Sequence, residues 1–375
     1  MTQQTLIRRP NRRGFSLLEA MITLVIMLVI IGGATALFFE NQNATTAHVA
    51  LAELRTNMRF ALDTMSSDLR VVGAYTKWAP LQVLNGAYQF NIVECTNSQW
   101  QPFVTGLQLG HYAGYDSTIP DRIRVVEPDI INDAQLRDEY SPPSSQFKAV
   151  KISGEPFQEG DLLLITNAPT VDNPWDPGAQ VFADLFVPTT IQGPQSGNPF
   201  TEVTFNAGAN DPYGVNSPTG FPQSYPPGSV IMRIRIWEYY IDTNIPDVPR
   251  LMRLEARPNA VPEEVSRYVE DLQVAMGIDA DDNNNITGAE WITTNFQNIT
   301  NAQLQHLRAM RITLIGRTFA MPEVMAGKRV STQDIYYQRP AIEDRSAGAV
   351  QPTPQFREVY TQVVMFRNLR PEPEE

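Results

Sequence analysis

The sequence predicts an α+β protein: one long N-terminal α-helix packed on a large antiparallel β-rich head. Three observations predict it. Residues 15–39 form an apolar run of 25 residues in which Glu19 is the only charge. No proline interrupts residues 15–79, and an apolar stripe at steps of three and four continues to Val72. Beyond about residue 75, prolines and glycines become frequent and short alternating segments appear between them. At 375 residues the chain is long enough to bury a large core.

The first element, residues 1–14, is a basic stretch. It carries Arg8, Arg9, Arg12 and Arg13, no acid, and ends at Gly14. An ordinary secretory signal places its small residues after the apolar run, where it is cut. Here the glycine–apolar junction lies before the run. Cleavage there would remove the arginines and keep the hydrophobic helix. The second element, residues 15–39, would extend roughly 37 Å as a helix, enough to cross a bilayer with some tilt. The basic flank places residues 1–14 in the cytoplasm and everything after Phe39 outside. A carboxylate inside such a span costs about 2.5–3.5 kcal/mol, so Glu19 is a candidate functional residue. The plainer alternative is a signal anchor with an incidental glutamate.

The third element, residues 40–73, continues the helix outside the membrane. Leu51, Leu54, Met58, Ala61, Leu62, Met65, Leu69 and Val72 make one stripe, while Arg55, Arg59, Asp63, Ser66 and Arg70 take other faces. The pattern predicts one helix from Phe15 to about Val72, on the order of 85 Å long, with Gly73 as its stop. The alternative is two helices broken at Gly32-Gly33. The fourth element, residues 74–375, is the head, as one domain or two tightly joined lobes. Strands are expected over 122–127, 147–153, 161–166, 180–187, 202–206, 230–242, 250–256, 269–278, 308–317 and 358–367. In 230–242, Ile231, Arg233, Arg235 and Trp237 alternate with Met232, Ile234 and Ile236, which predicts one wet face. Residues 167–178, 188–199 and the Pro-rich stretch to Gly228 are expected as turns and long loops.

Residues 279–290 carry the spacing of a twelve-residue calcium loop. Asp279, Asp281 and Asn283 stand at positions one, three and five, Asn285 offers a carbonyl at seven, and Glu290 is at twelve. The glycine usual at six is Asn284, which tolerates left-handed backbone better than most residues. The preceding segment reads as a strand, so this is not a helix–loop–helix hand. A solvated Asx-rich hairpin turn fits the same residues.

Composition excludes several functions. The net charge of −12 argues against nucleic acid as a partner, since phosphate binding needs clustered Lys and Arg. One cysteine, Cys95, permits no intramolecular disulfide. His48, His111 and His306 are too scattered to suggest a base or a metal centre, and no phosphate-cradling glycine loop is present. Glu263-Glu264 and Asp281-Asp282 read as surface charge. No enzyme activity is expected.

Gly14, Phe15 and Glu19, behind four arginines and ahead of the apolar run, resemble the class III leader of type IV pilins and type II secretion pseudopilins. The resemblance implies cleavage between Gly14 and Phe15 by a prepilin peptidase, N-methylation of Phe15, and pairing of Glu19 with a neighbour's N-terminus in a fibre. Weaker segments resemble the PilW branch of minor pilins. These are residues 57–62 through Asp68-Leu69-Arg70, Gly160-Asp161-Leu162-Leu163-Leu164, Tyr239-Tyr240-Ile241 with Leu251 and Arg253, Leu272-Gln273-Val274 with Gly277-Ile278-Asp279, and the ending 360–369. The resemblance implies a pilin-like fold and a minor pilin in an initiation or tip complex. It also implies other minor pilins, the major pilin and a PilY-type tip adhesin as partners. The location implied is the inner membrane with a periplasmic head, then the pilus fibre. A GspJ-like pseudopilin of type II secretion shares the architecture but is usually shorter. A membrane-tethered binding module that borrows the leader is the third reading.

Overall fold

The computed structural model describes residues 16–72, 81–83, 89–90, 93–96, 119–151, 157–167, 181–193, 200–207, 211–293, 299–300, 303, 306–319 and 336–366, apart from 246, 258, 284, 344 and 354. One helix, Leu17–Arg70, runs 54 residues without a break, about 81 Å. Gly32 and Gly33 lie inside it, so the reading of two helices is set aside. A helical glycine costs about 1 kcal/mol against alanine, which the long apolar residues around this pair outweigh. In the apolar half, Thr23 donates to the Glu19 carbonyl at 2.8 Å and Thr35 to the Ile31 carbonyl at 2.7 Å. Both hydroxyls are thus satisfied within the helix, as an apolar solvent requires.

The two halves of the helix have opposite surroundings. Every residue from 17 to 40 is exposed. From Ala50 onward the stripe Leu54, Met58, Ala61, Leu62, Met65, Leu69 and Val72 is buried in the head. It faces a four-stranded antiparallel sheet ordered Trp291–Ile292, Val269–Ile278, Leu307–Arg317, Arg357–Met365. Leu272, Val274, Met276, Met310, Ile312, Leu314 and Val364 line its near face. The helix approaches closely at Gly316, where an added Cβ would stand 2.6 Å from Met58 Sδ and 2.7 Å from Leu54 Cδ1.

A second, 12-stranded sheet continues the same core. Its centre is Val230–Asp242, paired antiparallel with Arg122–Leu136, Leu163–Thr166 and Arg250–Glu255. One pair departs from the antiparallel rule: Leu81–Val83 runs parallel to Ala183–Phe186. The strand from Arg122 extends through Pro128 to Leu136, well past the expected end. Pro128 is tolerated because the register shifts between Met232 and Ile234, relieving the ladder there. The expected wet face of 230–242 survives only at Arg233 and Arg235. Ile231 is fully buried by a second core made of Tyr140, Phe147, Phe186, Phe205, Phe221 and Tyr225.

Two stretches expected as loops are more ordered than the sequence suggests. Thr190–Gln192 is a strand paired with Thr201–Thr204. Residues 211–228 form no strand, yet Val215, Phe221 and Tyr225 are fully buried. Side chains replace the ladder here. Asp211 accepts from the backbone of Tyr213, Gly214 and Asn216, and Asn216 bonds both backbone groups of Val187.

Candidate functional site

Two places carry the candidate residues. Gly14 and Phe15 lie outside the described residues. Glu19 stands in the first turn of the helix, exposed, one turn beyond the junction. A carboxylate there complements the positive end of the helix dipole.

The second place is the loop after strand Val269–Ile278. The strand delivers Asp279 fully buried, its N–H donating to the His306 carbonyl at 2.9 Å. Asp281 is exposed, and Glu290 returns from the short 3-10 turn Gly288–Glu290. One carboxylate oxygen from each of Asp279, Asp281 and Glu290 lies within 4.8 Å of the others. Three carboxylates at such spacing suit a hard divalent cation, which takes oxygen ligands in flexible geometry. Of the other two expected ligands, the side chain of Asn283 is turned to local work. Asn283 donates from Nδ2 to Asp281 Oδ2 at 2.7 Å, and its Oδ1 accepts the Asn285 N–H at 2.7 Å. Glu290 itself accepts from Ala280 N–H at 3.2 Å and Thr287 N–H at 2.8 Å. These bonds are those of an Asx-rich turn, so the loop holds its shape with its own donors. Asn284 lies outside the described residues.

Sequence reasoning missed the charges around this loop. Asp282, at φ +54°, is bonded by His306 Nδ1 at 3.0 Å and by Arg308 Nη2 at 3.1 Å. The hydrogen bond from His306, then the charges of His306 and Arg308, hold its carboxyl below the usual range. Glu263 and Glu264 are likewise paired, with Arg253 at 2.9 Å and Arg267 at 2.6 Å. Apart from Glu264–Arg267, three residues apart, these pairs join residues distant in sequence.

The helix is locked to the head at a third place. Asp68 accepts from Tyr239 and from Arg253 Nη1 at 3.3 Å, and Arg253 stacks over Trp237 at 4.1 Å. Burial first, then the Asp68 carboxylate, raises the Tyr239 hydroxyl well above its ordinary range, so it stays a donor. Asp68, Tyr239 and Arg253 come from three separate segments already singled out by resemblance. The fold joins them into one clamp.

Residues 238–368 match the family model described as Type IV Pilus-assembly protein W, and residues 9–35 match the prokaryotic N-terminal methylation motif. The first match takes in Tyr239, Arg253, the 279–290 loop and the four-stranded sheet. The second contains Gly14, Phe15 and Glu19. No curated protein and no solved structure matches the chain.

Proposed function

We propose, for a chain that carries a PilW domain behind a prepilin-type methylation motif and is thereby a type IV pilus minor pilin, a substoichiometric role in an initiation or tip complex with other minor pilins. The observation that carries this reading is the split character of one rigid helix. Its outer half is sunk in the head, and residues 17–40 stand free and apolar. A side chain left in water along such a length has no stable place except lipid or a fibre core.

The residue roles follow from that placement. Prepilin peptidase cleaves between Gly14 and Phe15 and methylates the new N-terminus. Before assembly the chain is a single-pass inner-membrane protein with its head in the periplasm, oriented by the leader arginines. On assembly, Glu19 pairs with the N-terminal amine of a neighbour, which offsets the penalty of holding each charge in an apolar core. Other minor pilins and the major pilin contact residues 15–39. A PilY-type adhesin is a candidate for the head. The task is structural.

The loop 279–290 adds a second, narrower proposal, favoured by the convergence of Asp279, Asp281 and Glu290. Calcium would be held by these three carboxylates, with Asn283 and Asn285 as the further oxygens the spacing supplies. The ion would tie strand Val269–Ile278 to the turn at Glu290.

Quantitative mass spectrometry of sheared fibres tests the assignment. A trace of this chain relative to the main subunit is expected, with an N-terminal peptide that starts at methylated Phe15. Abundance comparable to the main subunit would refute the minor role, and a mature start beyond residue 39 would refute the pilin reading.

A further inference from the structure

The buried half of the helix has two unlike flanks. One is closed by the large sheet, where Ser266 donates to the Asn57 carbonyl at 3.3 Å and Arg253 reaches Asp68. The other ends on strand Arg357–Met365, which Arg55 grips through Glu358 at 2.7 Å. That strand pairs along its whole length with Leu307–Arg317. Among the described residues, no strand pairs with its outer side.

The outer side is built as a template. The ladder from Arg317–Arg357 to Ala309–Met365 shows no register shift, so alternate residues of the nine-residue strand present a regular row of backbone donors and acceptors. Val359, Thr361, Val363 and Met365 are exposed on one face, with Val363 at 47%. None of the four is charged, and no proline or bulge blunts the strand. Proteins that keep long edges free of partners use those devices. The adjacent strand's residues on the same face, Ala309, Thr313 and Ile315, are buried. Residues 339–343 are pinned over that face by Arg311–Glu343 at 2.7 Å and Arg339–Asp271 at 3.5 Å. Among the described residues this cover touches the edge strand at Arg357, which stacks over Tyr337 at 4.6 Å, and it leaves Val359, Thr361, Val363 and Met365 exposed.

We propose that strand Arg357–Met365 accepts an extended segment from the head of the neighbouring pilus subunit, a different prepilin-type chain, as a fifth strand of the sheet. The inference rests on the pilin reading above. Position specifies the occupant. Subunits that pack side by side through residues 17–40 bring a neighbour's head against one flank of this helix. The large sheet blocks one flank and the edge strand opens the other. A second copy of this chain does not fit. Two such edges paired antiparallel about Thr361 would match Val359 with Val363, but the two-fold axis would run the helices in opposite directions, and both must enter one membrane. The incoming segment needs apolar residues at alternate positions against Val359 and Val363. An acidic residue would suit Arg59, exposed one helical turn from Arg55 on the same flank.

Photocrosslinking of the full-length chain in piliated cells tests this. Val363→p-benzoylphenylalanine is compared with the same replacement at Val261, which is 80% exposed elsewhere on the head, and at Ile26 in the free helix. The expected result is an adduct from Val363 to the head of another prepilin-type chain, and none from Val261. An adduct to a second tagged copy, to a chain without a prepilin motif, or no adduct would overturn the proposal while Ile26 still captures pilus subunits. If Ile26 captures none, the pilin reading fails with it. The double variant Val359→Lys, Val363→Lys is expected to lower recovery in sheared fibres at least tenfold at matched membrane level. Unchanged recovery would overturn the strand-addition model even if a crosslink forms.

Discussion

Asp184 is fully buried in the second core, where its Oδ2 accepts from the Tyr225 hydroxyl at 2.7 Å and from Gln223 Nε2 at 2.9 Å. Burial pushes its carboxyl up to about 6, only partly offset by those two donors. Its ordinary value is 3.8, so between the two the folded state holds a proton that the unfolded chain has released. Stability from this group is therefore full below about pH 4, falls as pH rises through about 6, and levels off above. The displacement corresponds to on the order of 3 kcal/mol. Asp184→Asn keeps an acceptor for both donors and cannot ionise. The variant is expected to match the parent at pH 4 and to be the more stable at pH 8, read from melting of the purified chain. A less stable variant at pH 8 would show that the ionised carboxylate is welcome there. On the proposed pairing, Glu19 is the opposite case, a charge whose value would lie outside its own chain. Glu19→Ala should ease insertion by about 2.5–3.5 kcal/mol and still abolish entry into fibres. Normal piliation at matched membrane level would contradict the pairing role.

At the scale of elements, the helix and the four-stranded sheet meet with no spare volume at Gly316. Gly316→Val would drive Met58 and Leu54 off their positions, and a loss of about 1–3 kcal/mol is expected. Met58→Ala alone should cost about 2–5 kcal/mol, since Met58 is fully buried. The double variant should lose less than the sum, because the new methyl groups enter the space that Met58 leaves. Strict additivity in denaturant melts would mean that the two elements do not touch in solution. The 279–290 loop is tested on its own. Free calcium at 100 times Kd stabilises a site present only in the folded state by about 2.7 kcal/mol. Sites of the extracellular type bind at roughly 0.1–1 mM, so the full effect needs about 10–100 mM calcium. The melting temperature of the parent should rise with calcium over chelator, and that of Asp279→Ala, Asp281→Ala should not. An equal response in both proteins would move the ion elsewhere.

For the whole molecule, a bulky head is mounted rigidly on a standard packing helix. Arg55–Glu358, Asn57–Ser266 and the Asp68–Tyr239–Arg253 clamp fasten it at three heights along the helix. Such exposed or half-exposed pairs set orientation more than stability. Stability comes from the continuous core shared by the helix and both sheets. Since the head shares its core with the outer half of the helix, its bulk must be accommodated wherever the helix docks. The proposed substoichiometric role follows this bulk: heads repeated at every position of a tight shaft would collide, whereas one copy at an end, or a short stack, would not. On the strand-addition proposal, the same fastening would give the edge strand Arg357–Met365 a defined place beside the next subunit.

The sequence by itself determined the long helix, its division into a free and a buried half, and the central strands. These rest on local signals: the 25-residue apolar run, the stripe from Leu54 to Val72, and the alternation in Val230–Asp242. Val269–Ile278 and Leu307–Arg317 were legible for the same reason, since side chains report their own period. Glu19 stands out as a candidate in the sequence because a lone acid in an apolar span is costly. Only the tertiary structure decided the rest. Strands of two to five residues such as Trp291–Ile292 and Glu263–Arg267 carry too little pattern to read, and exist because a neighbour offers hydrogen bonds. The order of residues 211–228 depends on Asn216 bonding both backbone groups of Val187 and on Tyr225 exchanging backbone bonds with Tyr140. Ile231 is buried because an aromatic core from other segments covers the face that its own strand would leave to water. In each case the deciding partner is far away in sequence, so no window along the chain contains the interaction that fixes it.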